Sequence, residues 1–122
     1  MKWEQVKIVP KIHIDGFVSA FEATYKGDYD FKGENHNFWE FVYVVDGMIN
    51  ATADDRVHIL KSGDIIFHKP MEFHKLKTVN GKAASLLIMS FYLSGDSVEF
   101  FENGVFSLTD EAQEKVEQLI TF

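Results

Sequence analysis

The sequence predicts one all-β domain, a barrel or sandwich, followed by a single α-helix. From Val6 to about Leu93, apolar residues recur mostly at every second position or in short β-branched and aromatic runs, as half-buried strands require. Turn residues interrupt this pattern at short, regular intervals, which is the spacing typical of a sandwich or barrel. The length of 122 residues, 46% of them apolar, suits one core of this kind.

The individual strands follow from the turn signals between them. Asn80-Gly81 has the composition of a type I′ turn, because both residues tolerate positive φ, and it predicts a hairpin between residues 75–79 and 82–93. Asp46-Gly47 predicts a second hairpin by the same argument, between residues 41–45 and 48–53. With further strands at residues 56–60 and 64–67, we expect about eight strands in all. The remaining turn signals are Asp15-Gly16, Lys26-Gly27-Asp28, Asp54-Asp55, Ser62-Gly63 and Ser94-Gly95.

After Gly95 the pattern becomes helical. One face of the predicted helix carries five apolar residues, namely Leu108, Ala112, Val116, Leu119 and Ile120. Ser107 or Thr109 can cap this helix, and Ser107 has capping-box spacing to Asp110. No stop signal follows before Phe122, so we expect the native chain to continue. The sequence thus divides into a β-barrel at residues 1–95 and an acidic helical tail at 96–122, which has seven acidic residues and one basic residue.

Composition excludes several classes of function. The chain has no cysteine, so disulfides, zinc ribbons and thiol nucleophiles are ruled out, and any metal site must use His and carboxylates. A net charge of −7 is the wrong sign for binding nucleic acid through phosphates. No apolar run approaches the roughly 20 residues of a membrane span, and the first ten residues lack signal-peptide features. We therefore expect a cytoplasmic protein that does not contact membranes.

The candidate functional residues are concentrated at residues 33–40, with a second imidazole far along the chain at His74. On a straight strand, His36 and Glu40 would lie about 13 Å apart, too far to share one ion. A bend at residues 37–39 would bring them together, since Asn37 is a good turn residue. Glu40 would then point inward together with Val42 and Val44.

The same residues resemble the first motif of the cupins, small β-barrel proteins with the motif G-x5-H-x-H-x3,4-E-x6-G. His36, Glu40 and Gly47 fit the motif in register. Glu34 stands where the family usually has its first histidine, and the opening glycine is missing. The resemblance implies an all-β double-stranded β-helix, or jelly-roll, barrel.

The second cupin motif, G-x5-P-x-G-x2-H-x3-N, is also partly present. Gly63 matches its first glycine, and His74, eleven residues later, matches its histidine. The sequence departs from the motif at Lys69, Met71 and Thr78, and Pro70 falls one place late. Two independent spacings therefore support the fold, while the departures bear mainly on metal binding.

More narrowly, residues 36–47, 60–70 and 73–74 resemble the N-terminal sensor domain of AraC-type transcription regulators. Residues 100–106 and the acidic helix are similar to the link toward that family's dimerisation helices. The resemblance implies a domain that binds a small effector, often a sugar, inside the barrel and pairs with a second copy. Contact with DNA would then require a C-terminal pair of helix-turn-helix units that is absent from this chain.

Two interpretations of the polar cluster stand at this point. In the first, His36, Glu40 and His74, with Glu34 as a fourth ligand, hold a divalent transition metal such as zinc, iron, manganese or nickel. In the second, these residues bond to one another or to an effector at the barrel mouth, because a carboxylate inside a barrel needs a partner. Further candidate ligand-binding residues are Trp39, Tyr43 and the rim residue His68.

The functional prediction is an effector-sensing and dimerising domain of an AraC-type regulator. The alternative is a stand-alone metal-dependent cupin enzyme of dioxygenase or isomerase type, which would use His36, Glu40 and His74. A third interpretation is a metal-free carbohydrate-binding module with Trp39 or Tyr43 stacking on the sugar. Residues 28–38 are polar and rich in turn residues, so we expect a loop over the barrel mouth.

Overall fold

The computed structural model of the chain describes residues 12–119. Within that range it has eight strands and one α-helix, as the sequence predicts, and one short 3₁₀ turn (Val98–Phe101) that was not predicted. The strands are β1 (His13–Tyr25), β2 (Trp39–Asp46), β3 (Met48–Ala53), β4 (Arg56–Lys61), β5 (Asp64–His68), β6 (His74–Thr78), β7 (Ala84–Ser94) and β8 (Val105–Ser107), and the helix is α1 (Asp110–Gln118).

The strands form two antiparallel sheets that enclose the core. The larger sheet has the order β1-β7-β2-β5-β8 and the smaller sheet the order β4-β3-β6. Val42 and Val44 from the larger sheet meet Ile49 and Ala51 from the smaller one, and all four are almost fully buried. Their alternation with outward residues confirms the predicted inward direction of the even-numbered positions of β2.

Both predicted hairpins are wrong in their strand partners. Asn80 and Gly81 have positive φ (53° and 68°) and Val79 pairs with Lys82, so the turn itself is correct. However, β6 and β7 then diverge into different sheets, and β2 and β3 likewise separate after Gly47. A turn sequence specifies a local chain reversal, whereas the partner of each strand is set by packing of the whole barrel. The described hairpin of the smaller sheet joins β3 and β4 instead.

The predicted turn at Asp15-Gly16 is also wrong, because both residues lie inside β1. The pairing of β1 with β7 shifts register between Ile14 and Gly16 and again between Phe17 and Ser19. A glycine inside a strand commonly marks such a bulge rather than a turn. The long first strand therefore continues as one edge of the larger sheet.

The odd-numbered residues of β2 form a second apolar layer on the outer face of the larger sheet. Trp39, Phe41 and Tyr43 lie there, with Val116 of α1 packed against them. The Thr109 hydroxyl caps α1 by accepting from the Ala112 N–H at 3.2 Å, so of the two predicted caps Thr109 is correct. Ile120, the last residue of the predicted apolar face, lies outside the described residues.

The segment between β1 and β2 runs beside β6. Asp30 bridges to Lys77 and Glu34 bridges to His74, and the Phe31 N–H donates to the Leu76 carbonyl at 2.9 Å. These isolated bridges and hydrogen bonds hold the segment along the edge of the smaller sheet without adding a strand to it. Residues 28–38 thus follow the edge strand β6, which places the side chains of the predicted cluster next to His74.

Candidate ligand site inside the barrel

A buried pair, Glu40 and His74, joins the two sheets from inside. Glu40 is the second residue of β2, and His74 is the first residue of β6. Nε2 of His74 lies 3.0 Å from Oε2 of Glu40, and the Ser90 hydroxyl donates to Oε1 of Glu40 at 3.3 Å. A carboxylate in a barrel interior requires such partners, because an unpaired buried charge is costly.

Glu34 and His36 complete a cluster of four groups around this pair. Nε2 of His36 lies 3.6 Å from Oε1 of Glu40, and Nε2 of His74 lies 3.5 Å from Oε1 of Glu34. One ligand atom from each of the four residues falls within 4.8 Å of the other three. The chain bends at Asn37 and Phe38, as predicted, and this bend brings His36 back toward Glu40.

The imidazole orientations suit a cation. Nδ1 of His36 lies 2.9 Å from the Phe38 carbonyl, and Nδ1 of His74 lies 3.0 Å from the Glu72 carbonyl. Because a carbonyl only accepts, both Nδ1 atoms carry the proton, and both Nε2 atoms face the carboxylates. Two imidazole nitrogens and two carboxylate oxygens are a donor set that zinc, iron, manganese and nickel accept. The residues present therefore fit a divalent transition metal.

When no metal is bound, Glu40 and His74 interact as an ion pair, in which Nε2 of His74 also carries a proton. Burial by itself raises the pKa of Glu40, but the contact with His74 and the charges of the neighbouring imidazoles outweigh it, so that this pKa is lowered. Burial lowers the pKa of His74, but the contact with Glu40 outweighs it, so that this pKa is raised. Each group thus favours the charged form of the other.

These shifts predict how the pair contributes to stability as pH changes. The contribution of Glu40 is present above its ordinary pKa of 4.5 and is lost as pH falls through its lowered pKa in the folded state. The contribution of His74 is present below its ordinary pKa of 6.5 and is lost as pH rises through its raised pKa. The stability that the pair provides is therefore greatest between pH 4.5 and 6.5.

Urea unfolding at successive pH values, compared between the natural chain and the double variant Glu40→Leu with His74→Leu, measures that contribution. We expect the stability of the natural chain, relative to that of the variant, to be highest between pH 4.5 and 6.5 and to fall above that range. The variant keeps the burial that is the largest cause of the lowered pKa of His68, so the subtraction removes that part of the opposing effect of His68. A difference that grows steadily above pH 6.5 would contradict the ion-pair description.

His68 is fully buried beside this cluster, so the predicted rim position is wrong. Its ring stacks on that of His74 with centroids 4.5 Å apart, and its Nδ1 lies 3.0 Å from Oε1 of Glu72. Glu72, the partner of His68, is itself buried and also contacts Arg56. Glu72 is not among the residues predicted from the sequence, because it belongs to no motif and its contact with His68 depends on the turn between β5 and β6. The other histidines lie apart from the cluster: His13 is exposed on β1 and His58 is half-buried on β4.

A cavity of about 170 Å³ opens beside the cluster. Glu34, Glu40 and His74 line one part of it, and the rest of the wall is aromatic and aliphatic, formed by Phe21, Tyr25, Tyr29, Phe31, Leu76 and Ile88. The rings of Tyr25 and Tyr29 stack with centroids 4.1 Å apart. Burial, followed by the neighbouring Tyr29, raises the pKa of Tyr25. The site thus combines an apolar wall with converging polar groups, which is the usual composition of a small-molecule site.

Comparison with known proteins assigns the family. A family model described as the AraC-like ligand binding domain matches residues 18–113. The chain belongs to this family. Both the predicted resemblance and the predicted cupin-type all-β fold are thereby confirmed. No curated protein matches the chain significantly.

Solved structures similar to this AraC-like domain include cupins. An RmlC-like cupin from Shewanella frigidimarina superposes with a TM-score of 0.55 at 19% identity, covering 59% of this chain and 63% of that one. A predicted oxalate decarboxylase from Thermotoga maritima gives 0.59 at 14% identity, covering 62% and 67%. An HTH_3 family transcriptional regulator from Vibrio cholerae gives 0.54 at 17% identity, covering 67% and 51%. At these identities the similarity establishes the fold, which occurs in both enzymes and regulators.

Trp39 and Tyr43, which were predicted to bind the ligand, lie on the face of β2 opposite to the interior cavity. Trp39 and Tyr43 point away from Glu40 into the outer apolar layer, and neither lines the interior cavity. The Tyr43 hydroxyl donates to Oε1 of Glu117 on α1 at 3.0 Å. Burial, followed by Glu117, raises the pKa of Tyr43 to about 12.

We expect Tyr43→Phe to lower the free energy of unfolding by about 1 kcal/mol, because it removes a hydrogen bond between the sheet and α1. Tyr92→Phe is the matched control, since Tyr92 is 44% exposed, and we expect it to change stability by less than about 0.5 kcal/mol. Chemical denaturation of the two variants tests this. Equal effects of both substitutions would exclude a role for Tyr43 in attaching the helix.

The outer face also carries a larger and almost wholly apolar groove, of about 640 Å³. Its walls come from β1, β2, β5, β7, the 3₁₀ turn and α1, and include Phe17, Phe91, Phe101 and Val116. Phe17 and Phe100 are each about two-thirds exposed.

In the part of the chain that the structure describes, no helix is long and apolar enough to cross a membrane.

Proposed function

We propose that this chain is the effector-sensing half of an AraC-type transcription regulator, and that the effector binds in the interior cavity beside Glu34, Glu40 and His74. The observation that supports this proposal most strongly is the concentration of carboxylate and imidazole side chains inside the barrel, directly beside an aromatic cavity. Buried ion pairs contribute little net stability compared with apolar residues of the same size. Their presence is therefore better explained by recognition of a ligand than by stability.

The size and composition of the cavity limit the effector. Its volume of about 170 Å³ is below the roughly 300–1,000 Å³ of drug-sized sites, so the effector is a small molecule. Tyr25 and Phe31 offer an apolar surface, and Glu34, whose side chain is 48% exposed, offers acceptors at the edge of the cluster. A small sugar combines apolar faces with hydroxyl donors, and it is the first class that we would test.

Sensing would work by a shift of populations. Glu34 and His36 lie on the segment before β2, whereas Glu40 and His74 lie on strands of the two sheets. A ligand that contacts Glu34 and Glu40 together favours the arrangement in which this segment rests against β6. That arrangement would in turn change the position of the acidic tail at residues 96–122. In an AraC-type regulator, this would favour one geometry of the DNA-binding units.

We propose that the outer groove mediates association with a second copy of the chain. Its walls are aromatic and aliphatic, and exposed apolar patches of this kind commonly mark protein interfaces. It offers few of the polar groups that orient a small ligand. The proposed homodimer would therefore leave the interior cavity to the effector, and sedimentation of the natural chain and of Phe17→Ser would test this assignment.

The geometry of the cluster also favours a second candidate, a metal-dependent cupin enzyme of dioxygenase or isomerase type. Glu34, His36, Glu40 and His74 would hold the metal, which would supply Lewis-acid or redox chemistry to a substrate in the adjacent cavity. Elemental analysis of protein purified without chelator discriminates between the two candidates. Near-stoichiometric metal that is lost in His36→Ala would favour the enzyme, and a metal-free protein that takes up none on incubation would exclude it.

A thermal-shift screen tests the effector proposal. Small sugars, other small polar metabolites and divalent metal ions would be added to the natural chain and to the double variant Glu40→Leu with His74→Leu. We expect at least one compound to raise the melting temperature of the natural chain and to leave the variant unchanged, because binding stabilises the folded state only where the site exists. Compounds that stabilise both proteins equally would place binding elsewhere.

A further inference from the structure

Glu72 is the point at which three contacts converge next to the cluster. It lies in the turn between β5 and β6, and its side chain is fully buried. Oε1 lies 3.0 Å from Nδ1 of His68, and Oε2 accepts from a guanidinium nitrogen of Arg56 at 3.2 Å. The backbone carbonyl of the same residue accepts from Nδ1 of His74. A single residue thus contacts both imidazoles of the stacked pair.

The turn between β3 and β4 brings Arg56 to this position. The Asp54 N–H donates to the Phe73 carbonyl at 2.7 Å, and the Phe73 N–H donates to Oδ1 of Asp54 at 3.1 Å. These two bonds hold the turn against the segment that carries Glu72. Arg56, whose side chain is 32% exposed, then reaches inward from the surface and compensates the buried carboxylate.

The contacts of Glu72 determine which imidazole nitrogens carry protons. The Glu72 carboxylate, which already accepts from Arg56 through Oε2, also acts as an acceptor through Oε1, so Nδ1 of His68 is the donor. A backbone carbonyl only accepts, so Nδ1 of His74 is a donor as well. Nε2 of His68 has no hydrogen-bond partner among residues 12–119, although it is buried. The two rings lie almost parallel, with 15° between their planes, so the orientation of His68 also limits that of His74.

We propose that Glu72, compensated by Arg56, is the positioning residue of the interior site: it fixes the tautomer and ring orientation of His68, against which the ligand-facing His74 stacks. Fixed partners for imidazole nitrogens keep a site in one geometry before the ligand arrives. The inference rests on the proposed function only in regarding His74 as ligand-facing. The hydrogen-bond arrangement itself is a property of the unliganded protein.

The variant Glu72→Met tests this proposal with an internal reference. It removes the side-chain acceptor of His68 but keeps the backbone carbonyl that accepts from His74. The Glu72→Gln variant restores a neutral acceptor, because its amide oxygen can face Nδ1 of His68 while Arg56 turns to solvent. If Glu72 served only to compensate the charge of Arg56, the neutral glutamine would not restore the tautomer of His68.

Nitrogen-15 NMR of the histidine side chains in the unliganded protein, at one alkaline pH, reads the tautomers directly. We expect His68 to carry its proton on Nδ1 in the natural chain. In Glu72→Met, the shifts of His68 should move toward the other tautomer or an average while those of His74 stay unchanged, and Glu72→Gln should restore the shifts of His68.

Unchanged His68 shifts in Glu72→Met, or no recovery in Glu72→Gln, would overturn the proposal. If Glu72→Met does not fold, the spectrum of the natural chain alone still tests the proposal. A proton on Nε2 of His68 would contradict the proposed hydrogen bond from Nδ1 of His68 to Glu72. Since no ligand is added, the result is independent of whether the thermal-shift screen finds an effector.

Discussion

Replacing His74 with leucine is expected to lower the free energy of unfolding by about 3 kcal/mol, because it leaves the buried Glu40 carboxylate without its nearest partner. The pKa of Glu40 should then rise, since its burial is no longer opposed by the contact with His74. Adding Glu40→Leu should recover most of the lost stability, because two apolar residues of similar volume can replace a buried ion pair at little cost. Chemical denaturation of the two single variants and the double variant forms a complete cycle.

The exposed pair Lys115 and Glu111 on α1 provides the control. Their side chains are 73% and 80% exposed, and the ion pair spans 3.4 Å. Lys115→Leu should change stability by less than about 0.5 kcal/mol, as for other surface pairs. If the double variant at Glu40 and His74 remained as unstable as His74→Leu alone, the interior pair would be essential to the fold, and its assignment to ligand recognition would lose its main support.

Gly47→Ala is expected to destabilise the domain by roughly 3 kcal/mol or more. Gly47 connects β2 to β3 where the chain crosses between the sheets, with φ of 84°, a conformation that residues with a Cβ rarely adopt. An added Cβ would also lie 2.4 Å from the Ala83 carbonyl oxygen, which is backbone and cannot move aside easily. Strain and steric overlap therefore act together at this position.

Gly27→Ala separates these two effects. Gly27 has a similar φ of 62°, but nothing lies within 4 Å of an added Cβ. We expect this variant to lose only about 1 kcal/mol, the cost of the left-handed conformation alone. Thermal or urea unfolding of both variants makes the comparison. Equal losses would mean that the crossing between the sheets accommodates a side chain, contrary to the packing described above.

The fold class could be predicted because its signals are local. Alternation along β2 placed Glu40, Val42 and Val44 on one face, and the composition of residues 79–82 specified a turn. Strand partners could not be predicted, because the pairing of β2 with β7 and β5 depends on packing between residues distant in sequence. The bulges in β1 were missed for a related reason: a glycine beside an aspartate has the same composition in a turn and in a bulge.

The candidate site also contains residues that the sequence predicted and residues that it did not. Motif spacing predicted His36, Glu40 and His74, and the structure brings them together with Glu34. Trp39 and Tyr43 were chosen as aromatic residues near the motif, yet alternation along the strand turns them to the outer face. Glu72 and the aromatic wall at Tyr25 and Tyr29 belong to no motif, because their role arises only where separate segments meet. Spacing therefore identifies potential ligands better than it identifies the residues that orient them.

The most direct test of the interior site is to map the binding of the best compound from the screen by NMR chemical-shift changes. The two cavities lie on opposite faces of the larger sheet, so the affected residues distinguish them clearly. We predict that the largest changes fall at Glu34, Glu40, His74 and Leu76, around the small cavity. Changes concentrated at Phe17, Phe91 and Phe101 would place the ligand in the outer groove and contradict the proposed function.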